Sequence, residues 1–435
     1  MRKVKESPNF SLPIEQLKWS HGILNHFKQP QKRKKTAIKK PAVFIILASP
    51  FAIDPRVKQE FGSLLKKGFY VKLLSWDRDG NNSDERTDNY HIKYVKLLRS
   101  KTFSKILFLL SALLFQFVAF FEGLKLLQQV GKLLVHANDF NTFLGALLLK
   151  FFFPRKIKVI YDSHELTPAV YSEWYGPVVG SIIGKFEKKI VKRFDALIGV
   201  SPPIVSHLKA IAGREKNVYL IWNYPSQVVI PSLTKPQARQ ALGLPQDAFL
   251  LTYVGTLRTD VALLELIDVL SALKQQLRHE PTLFSKKFKV IIVGDGPLYD
   301  ELVHRISEWK LEEFITIVGR VPRKTSLIYL RASDLSYILF KIKGMNTKIG
   351  MPWKLFESLV CGTKVLVLEK TYAATFVKNH TAGYTIKTLD PPFLAKKLIS
   401  IMQSQTEFNN SFDFLWEQQE TLFIKIYSEL YQKFF

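Results

Sequence analysis

The chain has 435 residues, a formal net charge of +26, 47% hydrophobic residues and a single cysteine. That length exceeds one ordinary core and predicts two domains. One cysteine excludes a disulfide framework and a cysteine-based metal cluster. The charge calls for a polyanionic partner, which is nucleic acid, an anionic membrane surface or a phosphate-bearing substrate.

Residues 1–40 hold 11 Lys/Arg against 2 Asp/Glu and so carry +9 of the +26. Their densest runs are Lys32-Arg33-Lys34-Lys35 and Lys39-Lys40. They predict a solvated, poorly ordered basic tail, worth about 1 kcal/mol per basic residue beside an anionic membrane. No apolar core of a secretory signal follows this basic start, and the lone cysteine is compatible with a reducing cytoplasm.

At residues 43–47 the pattern switches to a buried strand. A helical pattern over 56–67, a stop at Gly68 and a second strand at 70–74 follow. This β-α-β start predicts a parallel sheet. The first loop, 49–56, has no glycine and so is not a dinucleotide fingerprint. Residues 106–121 are almost wholly apolar. A run of about 16 falls short of the roughly 20 that span a bilayer. A transmembrane helix, a buried core helix and a helix lying in the membrane interface all fit. The phenylalanines and the flanking Lys105, Lys125 and Lys132 favour the interfacial helix, with a docking segment at 103–129.

Strands resume at 133–136, 158–161, 196–200 and 218–221. Residues 223–245, rich in Pro, Ser and Gln, read as an interdomain linker. A second series predicts strands at 249–254, 289–293, 314–318, 335–339 and 365–368, with helices at 263–276, 298–309 and 354–360 between them. Residues 414–435 are amphipathic and helical. The predicted fold class is α/β, two Rossmann-like domains in tandem. The expected divisions are the tail 1–40, an N-terminal domain 41–228, a C-terminal domain 229–405 and a last helical segment 406–435.

In open parallel sheets, ligands bind beyond the carboxyl ends of the strands. After 249–254 comes Gly255-Thr256-Leu257-Arg258-Thr259-Asp260, a small turn feeding a helix, with Arg258 a candidate cation for a phosphate. After 289–293 comes Gly294-Asp295-Gly296-Pro297, where the backbone can approach a flat ligand such as a nucleobase. After 314–318, Arg320 follows Gly319 and is placed to face a cleft. Each of these also fits ordinary tight-turn geometry. The most informative stretch is 352–362. Pro352 suits a first helical turn, and Lys354 and Glu357 then share one face near the positive helix end. The lysine suits a diphosphate and the carboxylate a pair of sugar hydroxyls, although a surface ion pair has the same spacing. Cys361 reads as core.

In the first series, Val135-His136-Ala137-Asn138-Asp139 and Tyr161-Asp162-Ser163-His164-Glu165-Leu166 end strands in polar residues. A histidine with two acids at a strand end has the composition of a site, with a core or capping role for His164 as the alternative. The spacings make no metal set, so no metal is expected. Ser201 reads as a helix cap.

Asp54-Pro55-Arg56-Val57, Tyr161 to Leu166, Val254-Gly255-Thr256-Leu257, Val293 to Pro297 and Pro352-x-Lys354-Leu355-Phe356-Glu357, in that order, resemble the GT-B glycosyltransferases of family 4 over residues 42–435. The resemblance implies two Rossmann-like domains facing each other across a cleft, with the C-terminal helix crossing back to the N-terminal domain. It implies retaining, hexosyltransferase-type transfer without metal or cofactor. The donor, a UDP- or GDP-linked sugar, would lie mainly on the C-terminal domain and the acceptor on the N-terminal one. Glu357 would hold the ribose, Gly255 and Thr256 would lie by the diphosphate, Gly294, Asp295 and Gly296 near the base, and His164 near the transferred sugar. Three positions depart from the family. Ile349 stands where a glutamate is common, and Thr256 and Val261 stand where an arginine and a lysine are common. Lys354, with Arg258 or Arg320, is expected to supply the missing charge. His164, Lys354 and Arg258 are therefore the candidate catalytic residues.

With the basic tail and the apolar run, the expected setting is cytoplasmic and peripheral at the inner face of the cell membrane. The expected partners are a nucleotide sugar, a lipid-linked or glycan acceptor and the anionic membrane surface. A sugar-nucleotide epimerase or an inactive binding subunit of the same fold is the alternative. Nucleic acid is not an expected partner, because the basic residues concentrate in the tail instead of interleaving with aromatics.

Overall fold

The computed structural model describes residues 38, 40–78, 80–97, 105–279, 288–404 and 412–434. The predicted basic tail, apart from Ile38 and Lys40, lies outside them. The first sheet contains β1 (Ala42–Leu47), β2 (Tyr70–Trp76), β3 (Glu85–Arg86), β4 (Tyr90–Val95), β5 (Leu133–Asn138), β6 (Ile157–Ser163), β7 (Ala196–Gly199) and β8 (Val218–Leu220). Their order is β3-β4-β2-β1-β5-β6-β7-β8, parallel except for the short β3–β4 pair. The second sheet contains β9 (Phe249–Val254), β10 (Phe288–Val293), β11 (Ile315–Gly319), β12 (Leu335–Ile338), β13 (Lys364–Leu368) and β14 (Gly383–Ile386). It is wholly parallel, in the order β11-β10-β9-β12-β13-β14. Helices cover both faces, and every residue of β1 is buried, which is why its sequence reads as an unbroken apolar run.

The strand order reverses beside β1 and β5 in one sheet and beside β9 and β12 in the other. Crevices open at such switch points. The loops at the carboxyl ends of the strands around these two switch points are therefore the ones that build the site.

The sequence reading missed β3, β4 and β14. Residues along β4 alternate between buried and half-buried, and β14 is a half-buried edge strand of only 4 residues, so neither shows the continuous apolar run of the inner strands. The expected linker also needs correction. Its residues Lys235–Ala241 form a helix closed by a capping box between Thr234 and Gln237. The buried Arg239 holds that helix to Asp334 at 2.7 Å. Upstream of it, Trp222 and Tyr224 stack with ring centroids 5.9 Å apart and both rest edge-on against Phe356 of the second domain.

The last helix, Trp416–Gln432, does cross back. Trp416, Phe423, Ile426, Tyr427 and Leu430 share a core with Val43, Ile45, Phe61 and Leu73. The Trp416 indole N–H donates to Ser63 Oγ at 2.8 Å.

The apolar run forms the 26-residue helix Lys105–Val130. One face is core, with Phe115, Ala119, Leu126 and Leu127 at most 4% exposed. The buried Glu122 on this helix holds Lys72 at 2.7 Å, with Lys93 and Lys125 beside it. The opposite face carries Leu110, Leu113, Leu114, Phe117 and Phe121, each at least 46% exposed. The spacing of these five keeps them on one stripe. Residues 110–130 are long and apolar enough to cross a membrane, but here they lie packed along a sheet.

Candidate functional site

A cavity of about 850 Å³ opens where the two switch points face each other. The C-terminal domain lines it with Tyr253 to Thr256, Arg258, Arg320 to Arg323, Phe340 and Pro352 to Lys354 with Glu357. The N-terminal domain contributes Ala52, Ile53, Pro55 and Lys58. Five cations and one carboxylate thus face the space. A smaller cavity of about 300 Å³ adjoins it, lined by Ile53, Arg56, His164, Asn223 and others, and Trp353 belongs to both.

Lys354 leaves the first turn of the helix Trp353–Val360 and crosses the end of β9. Its ammonium donates to the Tyr253 hydroxyl at 3.0 Å and lies 4.1 Å from the centre of that ring and 5.2 Å from that of Phe340. Burial and then the nearby Arg258 lower its pKa to about 7. Gly255 makes this path possible. Its φ is +143°, and a Cβ there would sit 2.5 Å from Lys354 Nζ.

The other predicted groups fall into two sets. Thr256, Arg258, Arg320 and Glu357 line the cavity with Lys354. Arg258 is exposed and held by Asp260, with its Nε 2.9 Å from Oδ1. The Glu357 carboxylate, 7% exposed, accepts from Arg323 Nε at 2.8 Å. Gly294, Asp295 and Gly296 lie elsewhere. A Cβ on Gly294 would collide with the Gly255 carbonyl, and one on Gly296 would sit 2.7 Å from the Leu257 N and O. These glycines let two loop backbones pack together, and Leu257 N–H donates to the Asp295 carbonyl at 3.0 Å. The close approach seen at these two glycines is to the neighbouring loop, which they hold in place for the cavity.

His164 stands in the smaller cavity at the end of β6. Its Nδ1 is 3.4 Å from Asp139 and its Nε2 3.4 Å from Asp162. Burial opposes a charge on the ring, but the two carboxylates outweigh it and raise the pKa to about 10. A carboxylate near each ring nitrogen favours the charged ring, with a proton on both. Asp139 adopts φ +62° and also accepts the His164 backbone N–H at 2.9 Å. Behind it, Arg56, 3% exposed, grips Asp162 through two nitrogens and donates to the Ile221 carbonyl at 3.0 Å. Burial works against the Asp162 charge, and Arg56 and His164 overcome it, holding its pKa well below the usual range. His136, stacked on Tyr427 of the last helix, hydrogen-bonds to that hydroxyl.

Glu60, His136 and Asp162 bring possible ligand atoms within 4.8 Å of one another. The Arg56 guanidinium lies 3.0 Å from Glu60 and 2.9 Å from Asp162, so the cation of this cluster is an arginine. Cys361 is buried, its thiol pushed up to about 12 by burial.

Sequence reading missed Lys58, Tyr253, Arg323 and Trp353. Arg323 lies only three residues past Arg320, so the signal for a cation after β11 was present but attached to its neighbour. Lys58 carried no signal, because nothing local tells which helical lysine faces the other domain. Ile349, where an acid was expected, packs against the N-terminal core.

Residues 234–413 match the family model described as glycosyl transferases group 1. A Bacillus subtilis protein named as a teichuronic acid biosynthesis glycosyltransferase, TuaC, is 24% identical over 54% of this chain and 58% of its own. The chain spans about half the length of the curated relatives it matches. Among solved structures, sucrose-phosphate synthase from Thermosynechococcus elongatus superposes with a TM-score of 0.71 at 16% identity, covering 91% of this chain and all of its own. Anabaena HepE in complex with UDP gives 0.60 at 13% identity, covering 90% of this chain and 99% of its own. At these identities the likeness is one of fold.

Proposed function

We propose that this chain, GT-B in fold and with its second domain matching glycosyl transferases group 1, is a glycosyltransferase that moves a sugar from a UDP- or GDP-linked donor with retention. The observation that carries the reading is the cavity between the domains, with five cations facing one carboxylate. Such a surface suits a diphosphate. As the bond to the sugar breaks, charge grows on the departing diphosphate, and Lys354, Arg258 and Arg320 are preorganised to stabilise it. Glu357, oriented by Arg323, would accept from ribose hydroxyls. His164, protonated between two aspartates, would lie by the sugar and present positive charge from the N-terminal domain. Closure of the cleft would keep water from the donor.

We further propose a lipid-linked or glycan acceptor at the inner membrane surface. The apolar stripe of the helix Lys105–Val130 supports this, as do exposed Val178, Ile182 and Phe186 on the helix Pro177–Ile190, which also carries Lys185, Lys188 and Lys189. The relative named for teichuronic acid biosynthesis is consistent with a polymeric glycan acceptor. Ile349 favours a second reading, an inactive binding subunit of the same fold.

A thermal-shift screen of UDP- and GDP-sugars tests the donor reading. One sugar nucleotide is expected to raise the Tm, as about 2.7 kcal/mol of stabilisation follows at 100 times Kd. A screen in which none does would remove the donor reading. Binding without transfer to any glycan or lipid acceptor would leave the second reading.

A further inference from the structure

Resting on that donor reading, we infer that Lys58 of the N-terminal domain reaches across the cleft to the donor diphosphate and makes the nucleotide itself the agent that draws the domains together. Lys58 lies on the first turn of the helix Pro55–Lys66, which leaves the switch-point loop after β1. It is the N-terminal domain's one cation in the lining of the large cavity. Its ammonium donates to the Ala52 carbonyl, which turns it towards that space. The opposite wall holds Arg323, Arg320, Arg258 and Lys354.

The two walls therefore present like charges to each other. Arg323 lies near enough to repel Lys58 and, after burial, is the next cause that lowers its pKa. Like charges facing across an empty cleft favour separation, and a dianion between them reverses the sign of the interaction. The sequence gives a reason for the lysine to be there. The loop from 49 to 56 has no glycine, so its backbone is poorly suited to wrapping a phosphate. A side chain from the first domain supplies the missing contact. Because that contact spans both domains, it forms only when the cleft is closed. Nucleotide affinity and closure are then one equilibrium.

The test uses the full chain with UDP and GDP as probes. Affinities of wild type, Lys58→Gln and Lys58→Arg are measured by calorimetry at low and high salt, and closure by small-angle scattering. Lys58 is exposed, so all three proteins should unfold at the same temperature without nucleotide. For whichever nucleotide binds, Lys58→Gln should weaken it about tenfold, a loss near 1.4 kcal/mol, and abolish the ligand-induced drop in radius of gyration. Lys58→Arg should restore both, and the gap between wild type and Lys58→Gln should narrow at high salt. Wild-type affinity or wild-type compaction in Lys58→Gln overturns the inference and leaves the donor reading standing. A wild-type protein that binds neither nucleotide overturns both.

Discussion

The two charge clusters of this protein are built on opposite plans. In the N-terminal domain Arg56, Glu60, His136 and Asp162 are each at most 3% exposed, and Arg56 meets both carboxylates at about 3 Å. In the C-terminal wall of the cleft, cations outnumber carboxylates and look into open space. The first cluster carries its own cation, Arg56, between two carboxylates, and removing that arginine leaves buried acid groups without their partner. In the second cluster Asp260 and Glu357 partner Arg258 and Arg323, yet cations remain in excess, and an anionic ligand would balance them.

The same substitution made in both places gives the sharpest contrast. Arg56→Met should cost about 3–5 kcal/mol of stability, because Asp162 and Glu60 lose their buried partner. Denaturant titration measures it. A loss under about 1 kcal/mol would erase the distinction. A comparable loss is expected for Phe115→Ala on the core face of the long apolar helix, about 3–5 kcal/mol. Phe117→Ser and Phe121→Ser, on its exposed face, should stay within about 0.5 kcal/mol and reduce binding to anionic liposomes instead. Lys354→Met should leave stability unchanged or improve it, and weaken UDP or GDP binding about tenfold.

The smallest effect concerns protons. Folding lowers the Lys354 pKa from its ordinary 10.5 to about 7. Between these values the unfolded chain holds the extra proton, so the Lys354 contribution to stability rises with pH across that window. The rise should vanish in Lys354→Met. A bound diphosphate favours the charged lysine, so at pH 8 nucleotide binding should take up close to one proton. At pH 6, where the lysine is already charged, uptake should be near zero. Calorimetry in buffers of different ionisation enthalpy reads both.

Most of the fold was legible because doubly covered parallel strands leave unbroken apolar runs, as in β1 and β9. Edge strands such as β14 leave none. Of the predicted residues around the cavity, Lys354, Glu357, Arg258, Arg320, Gly255 and Thr256 were found from their places after strands. At the glycine turn 294–296 the packing against the loop of Gly255 was not legible, because a glycine that admits a ligand and one that admits another backbone have the same local sequence. The apolar run was ambiguous for a related reason. Composition counts apolar residues, and only packing divides Phe115 from Phe117.

The sequence alone determined the two α/β domains, the last helix and the strand ends where cations gather, since these follow from local period and from the ordering of turns. The crossing of that helix was implied only by the family resemblance. Tertiary structure decided which charges are partnered. It set Arg56 among carboxylates, held His164 between Asp139 and Asp162, and brought Lys58 to face Arg323 from 265 positions away in the chain. Electrostatic energy depends on distance and burial, and neither is written in a linear order of residues.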